Sequence, residues 1–242
     1  MNLYDYSISV ITNNVYLHFF DLLLESLKKL NFDFSNFYLG DVGIDNVERY
    51  NYLNIIDLPI KKYSNTKTQT NGYRQIISNR TIMLNNITDV SDKPILQLDA
   101  DTYIVKSLFN IDSDSDITIT IRNVIKTGLI KKFSYRVKRY PNLGVVFWNK
   151  PNKCRKFWSI WDKIRKTISA HQGQYEQNSF LHAMESKEYK DLKSQEVPCY
   201  QYNCYDSKWL KHKPSIIHFK GCEGRDVSKK LPNKKLLEYC RI

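Results

Sequence analysis

Apolar and polar positions along this chain change period several times, and the changes mark out alternating strands and helices. Residues 7–12, SISVIT, alternate toward a strand that ends in the polar pair Asn13-Asn14. From Val15 to Leu30 the period lengthens. Phe19, Leu22, Leu23, Ser26, Leu27 and Leu30 recur at helical spacing, which predicts a helix capped by Asn14. Lys28 and Lys29 fall in its last turn, where cations suit the helix dipole. Phe37-Tyr38-Leu39 before Gly40-Asp41 predicts a second strand and turn, and Ile55-Ile56-Asp57-Leu58 before Pro59 a third strand. Residues 60–70 read as a polar loop. A helix is expected from Gly72 to Asn86, with Ile76, Ile77, Arg80, Met83 and Leu84 on related faces.

After Pro94 a short apolar run, Ile95, Leu96 and Leu98, predicts a buried strand. Asp116 to Ile121 alternate strictly, predicting a strand with isoleucine inward and threonine outward. A basic loop over 122–139 leads to another strand, Leu143 to Trp148. Pro151 then opens a helix carrying Phe157, Trp158, Trp161, Ile164 and Ile168. Residues 175–186 read as a helix and 187–213 as irregular, Tyr-rich structure. Ser215 to Phe219 predict a short strand, and the tail from Ser228 a basic surface helix. Alternating strands and helices with short connections imply an α/β fold: one domain with a Rossmann-like, mostly parallel, doubly wound sheet. Within it, 1–110 and 111–227 are expected to form two halves, and 228–242 a basic tail.

The strand at 95–98 runs straight into Asp99-Ala100-Asp101. Carboxylates at the end of a buried strand need a compensating positive charge. In open α/β sheets ligands bind just beyond the carboxyl ends of strands, where these acids fall. Their oxygens suit Mg²⁺ or Mn²⁺ shared with a diphosphate, and Ala100 is small enough for a ligand to lie against the backbone. Asp112, Asp114 and Asp116 repeat the spacing, but no apolar run precedes them, so they read as a solvated loop. They are not a calcium loop either, because Ile117 and Asn123 stand where Gly and Glu are required.

At 242 residues the chain can bury a sizeable core, and 42% hydrophobic with 26% charged residues is ordinary for a globular protein. Val15 to Leu24, broken by His18 and Asp21, is too short to span a bilayer. The N-terminal segment lacks a basic leader, so a cytoplasmic protein is expected. Five cysteines without metal-binding spacing read as free thiols, with a Cys199–Cys204 disulfide the lesser alternative. The net charge of +12 calls for anionic partners. Its scatter in short clusters argues against specific nucleic-acid binding and leaves anionic substrates or peripheral contact with an anionic membrane.

Further chemistry-bearing residues follow the acids. In IIHFKG an apolar strand ends at His218, a candidate third metal ligand. In PNLGVVFWN, Asn142 and Gly144 open a strand that a ligand can approach closely. In YEQN, Glu176 and Gln177 begin a helix. Arg80 lies on the helix before the acidic strand, where a guanidinium can reach a phosphate.

This set, in this order, resembles the nucleotide-sugar-dependent glycosyltransferases of the GT-A fold, in particular the family eight group of glycogenin and galactosyltransferases. NRTIMLNNITDVSDKPILQLDADTYIV is similar to that family's run from a helix arginine to its acidic core. YPNLGVVFWNK, YEQNSF and IIHFKG are similar to its later motifs. The resemblance implies that 1–110 is a nucleotide-binding half and 111–227 an acceptor and sugar half, that Thr12 and Asn13 contact the nucleotide, and that Arg80 steadies the diphosphate or donor sugar. Asp99, Asp101 and His218 would hold Mn²⁺ or Mg²⁺, and Ala100 would border the donor. Asn142, Gly144, Glu176 and Gln177 would face the transferred sugar and the acceptor, with Lys220 and Gly221 beside the donor phosphates. The donor implied is a nucleoside diphosphate sugar, of the UDP type, and the acceptor a glycan or another hydroxyl. Three departures stand out: Leu143 replaces a Ser, Glu176 an Asp, and Gly224 the family's Lys, with Lys220 or Arg225 left for the phosphates.

Two other classes compete. A two-metal phosphoesterase or nuclease would place more acids and histidines at the other strand ends, where Asn, Thr and Gly stand. A nucleic-acid or membrane-surface binding module with a degenerate site would bind salt-sensitively and without metal. The aromatic residues Tyr189, Tyr200, Tyr202, Tyr205 and Trp209 read as a packed cap, with a sugar-stacking wall as the alternative.

Overall fold

The structure is a computed structural model and describes residues 1–59, 71–123, 139–167, 175–219 and 234–241. The expected loop at 60–70, most of the basic loop at 122–139, Ile168, Lys220, Gly221, Gly224, Arg225 and the start of the tail lie outside these residues.

A seven-stranded sheet forms the centre, in the order β3-β2-β1-β4-β7-β6-β8. Its strands are β1 (Ser7–Thr12), β2 (Phe37–Asp41), β3 (Asn54–Asp57), β4 (Ile95–Asp99), β6 (Ile117–Asn123), β7 (Arg139–Trp148) and β8 (Ser194–Pro198). All run the same way except β7, which is antiparallel to both β4 and β6. The sheet is therefore mostly parallel rather than wholly so. A separate two-stranded sheet pairs β5 (Thr102–Ile104) with β9 (Ile216–His218), antiparallel. The helices are α1 (Leu17–Lys29), α2 (Asn71–Val90), α3 (Pro151–Thr167), α4 (Tyr175–Ala183), α5 (Lys187–Lys190), α6 (Cys199–Tyr202) and α7 (Lys234–Cys240).

The core forms on both faces of the sheet. Ile8, Val10, Leu96, Leu98, Val145 and Phe147 pack with Phe20, Leu23 and Leu27 of α1. Ile95, Ile119, Val146 and Trp148 face Met83 and Leu84 of α2, Trp158 and Trp161 of α3 and Phe180 of α4. Among the described residues no helix is long and apolar enough to cross a membrane. The four described cysteines, Cys154, Cys199, Cys204 and Cys240, are buried, and the alternative Cys199–Cys204 disulfide is not formed.

Several local expectations change. Asn13, not Asn14, caps the first turn after β1, accepting from the Val15 amide at 3.1 Å. Asn14 instead accepts from the Asp45 amide. Gly40 lies within β2 rather than in a turn, and a Cβ there would sit 2.6 Å from Leu58 Cδ1. Thr118 and Thr120 are buried, not outward, because helices and loops cover both faces of β6. Asp116 is buried as well and accepts from the Lys193 amide at 2.9 Å, with Lys153 Nζ 3.2 Å away. Asp112 and Asp114 are exposed, as expected of a solvated loop. The stretch 187–213 contains β8, an edge strand whose polar sequence SQEVP conceals it. The C-terminal helix α7 is docked by buried Leu236 and Cys240.

Candidate active site

The carboxyl ends of β1, β4 and β6 share one edge of the sheet. Ile11 pairs with Asp99 across β1 and β4, so Thr12 and Asn13 follow directly beside the acids. Past Asp99 the chain turns, Thr102 Oγ1 donating 2.8 Å to the Asp99 carbonyl, and enters β5. Thr102 pairs with His218 of β9, which brings the imidazole back against the acids from a point more than a hundred residues away. His218 Nε2 lies 3.0 Å from Asp101 Oδ1 and 3.6 Å from Asp99 Oδ2. One ligand atom from each of Asp99, Asp101 and His218 falls within 4.8 Å of the others, a spacing that can hold one metal ion. Two hard oxygens and one imidazole suit Mn²⁺.

The other wall comes from a bulge in β7. Between the pairs Ile119↔Val146 and Ile121↔Pro141, β6 advances two residues while β7 advances five. The surplus stretch, Asn142-Leu143-Gly144, leaves the ladder beside Thr120. Its carbonyls find side-chain donors instead. Thr120 Oγ1 donates to the Asn142 carbonyl at 2.6 Å, with that of Val145 at 3.1 Å, while Gln97 Nε2 and Arg80 Nη1 reach the Leu143 carbonyl at 3.0 and 3.1 Å. The bulge brings Gly144 against the acids. A Cβ there would lie 2.6 Å from His218 Cε1 and 2.8 Å from Asp99 Oδ2, so only glycine fits this cradle. Asn142 is buried, and its amide nitrogen has no hydrogen-bond partner.

Arg80 joins the two halves. Its guanidinium pairs with Asp99 through Nη2 and with Glu176 through Nε at 2.8 Å, while Nη1 holds the bulge. Glu176 is 3% exposed in the first turn of α4, and Gln177 beside it is half-buried. Ala100 is buried between the acids. Thr12, Asn13, Arg80, Asp99, Ala100, Asp101, Asn142, Gly144, Glu176 and His218 are thus set around one sheet edge.

Sequence reading missed two participants. Asn203, after α6, contacts His218 Nδ1 through Oδ1 at 2.7 Å, and its amide reaches Thr120 Oγ1 at 3.1 Å. It stands in a stretch without periodicity, so nothing local marks it. Tyr16 is half-buried, and burial together with Asp101 and Asp99 raises its hydroxyl far above the ordinary tyrosine value. Its signal was available in TNNVY, a polar turn with an aromatic residue two positions after it.

A family model described as nucleotide-diphospho-sugar transferase matches residues 46–233. A comparison of the sequence with curated proteins found no match. Among solved structures, the WbbM bifunctional glycosyltransferase is similar at 11% identity and a TM-score of 0.58, covering 97% of this chain and 49% of its own. A glycosyltransferase involved in glycosylation of the major capsid of PBCV-1 is similar at 14% identity and a TM-score of 0.53, over 93% of this chain and 99% of its own. The galactosyltransferase LgtC, solved with donor and acceptor sugar analogues, is similar at 14% identity and a TM-score of 0.52, over 97% and 95%. This chain therefore spans about half of WbbM and nearly all of the other two.

Proposed function

The chain belongs to the nucleotide-diphospho-sugar transferase family, and we propose that it is a metal-dependent glycosyltransferase moving a sugar from a UDP-type donor to a glycan hydroxyl. The observation that carries this reading is the convergence of Asp99, Asp101 and His218 beside the Gly144 bulge. These three side chains would hold Mn²⁺ or Mg²⁺, and the ion would supply positive charge for the departing diphosphate.

The remaining roles belong to the protein itself. Arg80, braced by Asp99 and Glu176, would lend its guanidinium to the diphosphate or the donor sugar. Thr12, Asn13 and Tyr16, beside the acids at the end of β1, would bind the nucleotide, and Ala100 would let it lie close to the backbone. The unpartnered amide of Asn142 would donate to a hydroxyl of the transferred sugar. Glycosyl transfer passes through an oxocarbenium-like state, so a carboxylate near the anomeric carbon stabilises it or accepts the acceptor proton. Glu176 is suited to that role, with Gln177 orienting the acceptor. Lys220 and Gly221, two and three residues after His218, would complete the phosphate contacts.

The test is a panel of UDP- and GDP-sugars incubated with the full chain and Mn²⁺, reading nucleotide release. The reading expects turnover with a UDP-sugar and its loss in Asp101→Ala. Release that is equal in the variant, or that needs no metal, would refute it.

A further inference from the structure

Arg122 is a buried cation that the donor half of the site leaves unused. The residue is 7% exposed, and its Nε is sealed from solvent with no hydrogen-bond partner. No carboxylate among the described residues pairs with it. Its guanidinium lies 4.7 Å from the centroid of the Tyr205 ring, and the Tyr205 hydroxyl is also buried without a partner. Trp209 meets Tyr205 edge-on, with centroids 4.8 Å apart. A guanidinium carries its charge permanently, and a buried charge or polar atom without a partner is costly. Arg122 Nε, Tyr205 Oη and Asn142 Nδ2 are three such atoms, on neighbouring parts of one sheet edge.

The strand order turns that edge into a row: β1 with Thr12, β4 with Asp99, β7 with the Asn142–Gly144 bulge, then β6 with Arg122. β6 stands two strand spacings, about 10 Å, from β4. Arg122 lies two residues beyond Thr120, about 7 Å farther along the strand, where it pairs with Tyr140. Thr120 and Arg122 share the face of β6 to which Asn203 is bonded. Arg122 is thus displaced from the acids on the side away from β1, whose Thr12 and Asn13 the transferase reading gives to the nucleotide. The chain leaves β6 and enters β7 at this same edge, Asn123 pairing with Arg139.

We propose that Arg122 and Tyr205 form the acceptor subsite and that the acceptor carries an anionic group, a phosphate or a carboxylate. The inference rests on the transferase reading. The guanidinium fork binds either anion, while the aromatic ring packs against the sugar that bears it.

The experiment is ligand-observed NMR on the full chain saturated with UDP and Mn²⁺, with glucose 6-phosphate, glucuronate and glucose as probes. Binding of at least one anionic probe, without glucose, is expected, and which of the two binds identifies phosphate or carboxylate. Arg122→Met is expected to weaken that probe about tenfold or more and to leave UDP affinity, measured by calorimetry, within about twofold. If Arg122→Met does not fold, Arg122→Lys decides. Intermediate probe affinity is the expected result, and wild-type affinity contradicts the proposal. Equal binding of glucose, no binding of any probe, or an anionic probe indifferent to Arg122→Met would overturn the inference while UDP binding left the transferase reading standing. Failure of UDP to bind wild type would remove the transferase reading, and this one with it.

Discussion

The side-chain oxygen of Asn203 lies 2.7 Å from Nδ1 of His218, on the side of the ring away from Asp99 and Asp101. The orientation of Asn203 follows from its other contacts. Its nitrogen faces two acceptors, Thr120 Oγ1 at 3.1 Å and the Asn142 carbonyl at 3.4 Å, so its oxygen faces the imidazole. Nδ1 therefore donates, and the lone pair of Nε2 points at the acids, as a metal ligand requires. Asn203→Ala is expected to weaken Mn²⁺ binding about 10–100-fold, as read by calorimetry. Unchanged affinity would show that the ring needs no such support.

Gly144→Ala tests the cradle. The added methyl would collide with His218 and Asp99 rather than with flexible surface side chains. Loss of metal-dependent nucleotide binding is expected in a protein that still unfolds cooperatively. Wild-type binding would mean that the bulge yields by several tenths of an ångström.

Arg80 and Glu176 separate stability from catalysis. Their side chains are 13% and 4% exposed, and Arg80 also holds Asp99 and the bulge carbonyl. Arg80→Met takes the guanidinium away from two acids and should cost about 3–5 kcal/mol in urea unfolding. Glu176→Gln leaves Arg80 its other partners, so the stability loss should be smaller, while turnover falls about 100-fold or more. Equal losses of stability in the two variants would contradict this division.

Asp116 lies at the opposite end of β6, and its effect depends on pH. Burial pushes its carboxyl up, but the Lys193 amide and the Lys153 and Lys150 ammonium groups outweigh burial and hold it below the ordinary value. A lowered folded-state value contributes stability above the unfolded value, near 3.9, that is lost as pH falls through the folded one. Wild type should therefore exceed Asp116→Asn in stability by a constant margin at neutral pH. That margin should shrink below about pH 4. A margin independent of pH down to about 2 would rule out the ionised carboxylate as its source.

The strands and helices with strong periods were legible, and so were Asp99 and Asp101, because an apolar run leading into two acids conflicts with burial unless a ligand resolves it. His218 was legible as the polar end of an apolar triplet. The reversed direction of β7 was not, since a parallel and an antiparallel strand buried on both faces share one apolar pattern. Nor was the Asn142–Gly144 bulge, which depends on the register of β6 against β7. Asn203 and Arg122 stayed hidden because their meaning comes from partners far apart in the chain, Asn203 at His218 and Arg122 under Tyr205. The threonines of β6 read as outward-facing, but their hydroxyls are buried against partners remote in sequence, Thr118 at Gln195 and Asn149 and Thr120 at the Asn142 and Val145 carbonyls and Asn203.

Titration calorimetry of UDP and GDP, each with and without Mn²⁺, on wild type and Asp101→Ala, tests the central claim most directly. UDP binding that requires Mn²⁺ and disappears in Asp101→Ala is the predicted result. Absence of metal-dependent binding by either nucleotide, or binding that survives Asp101→Ala, would contradict it.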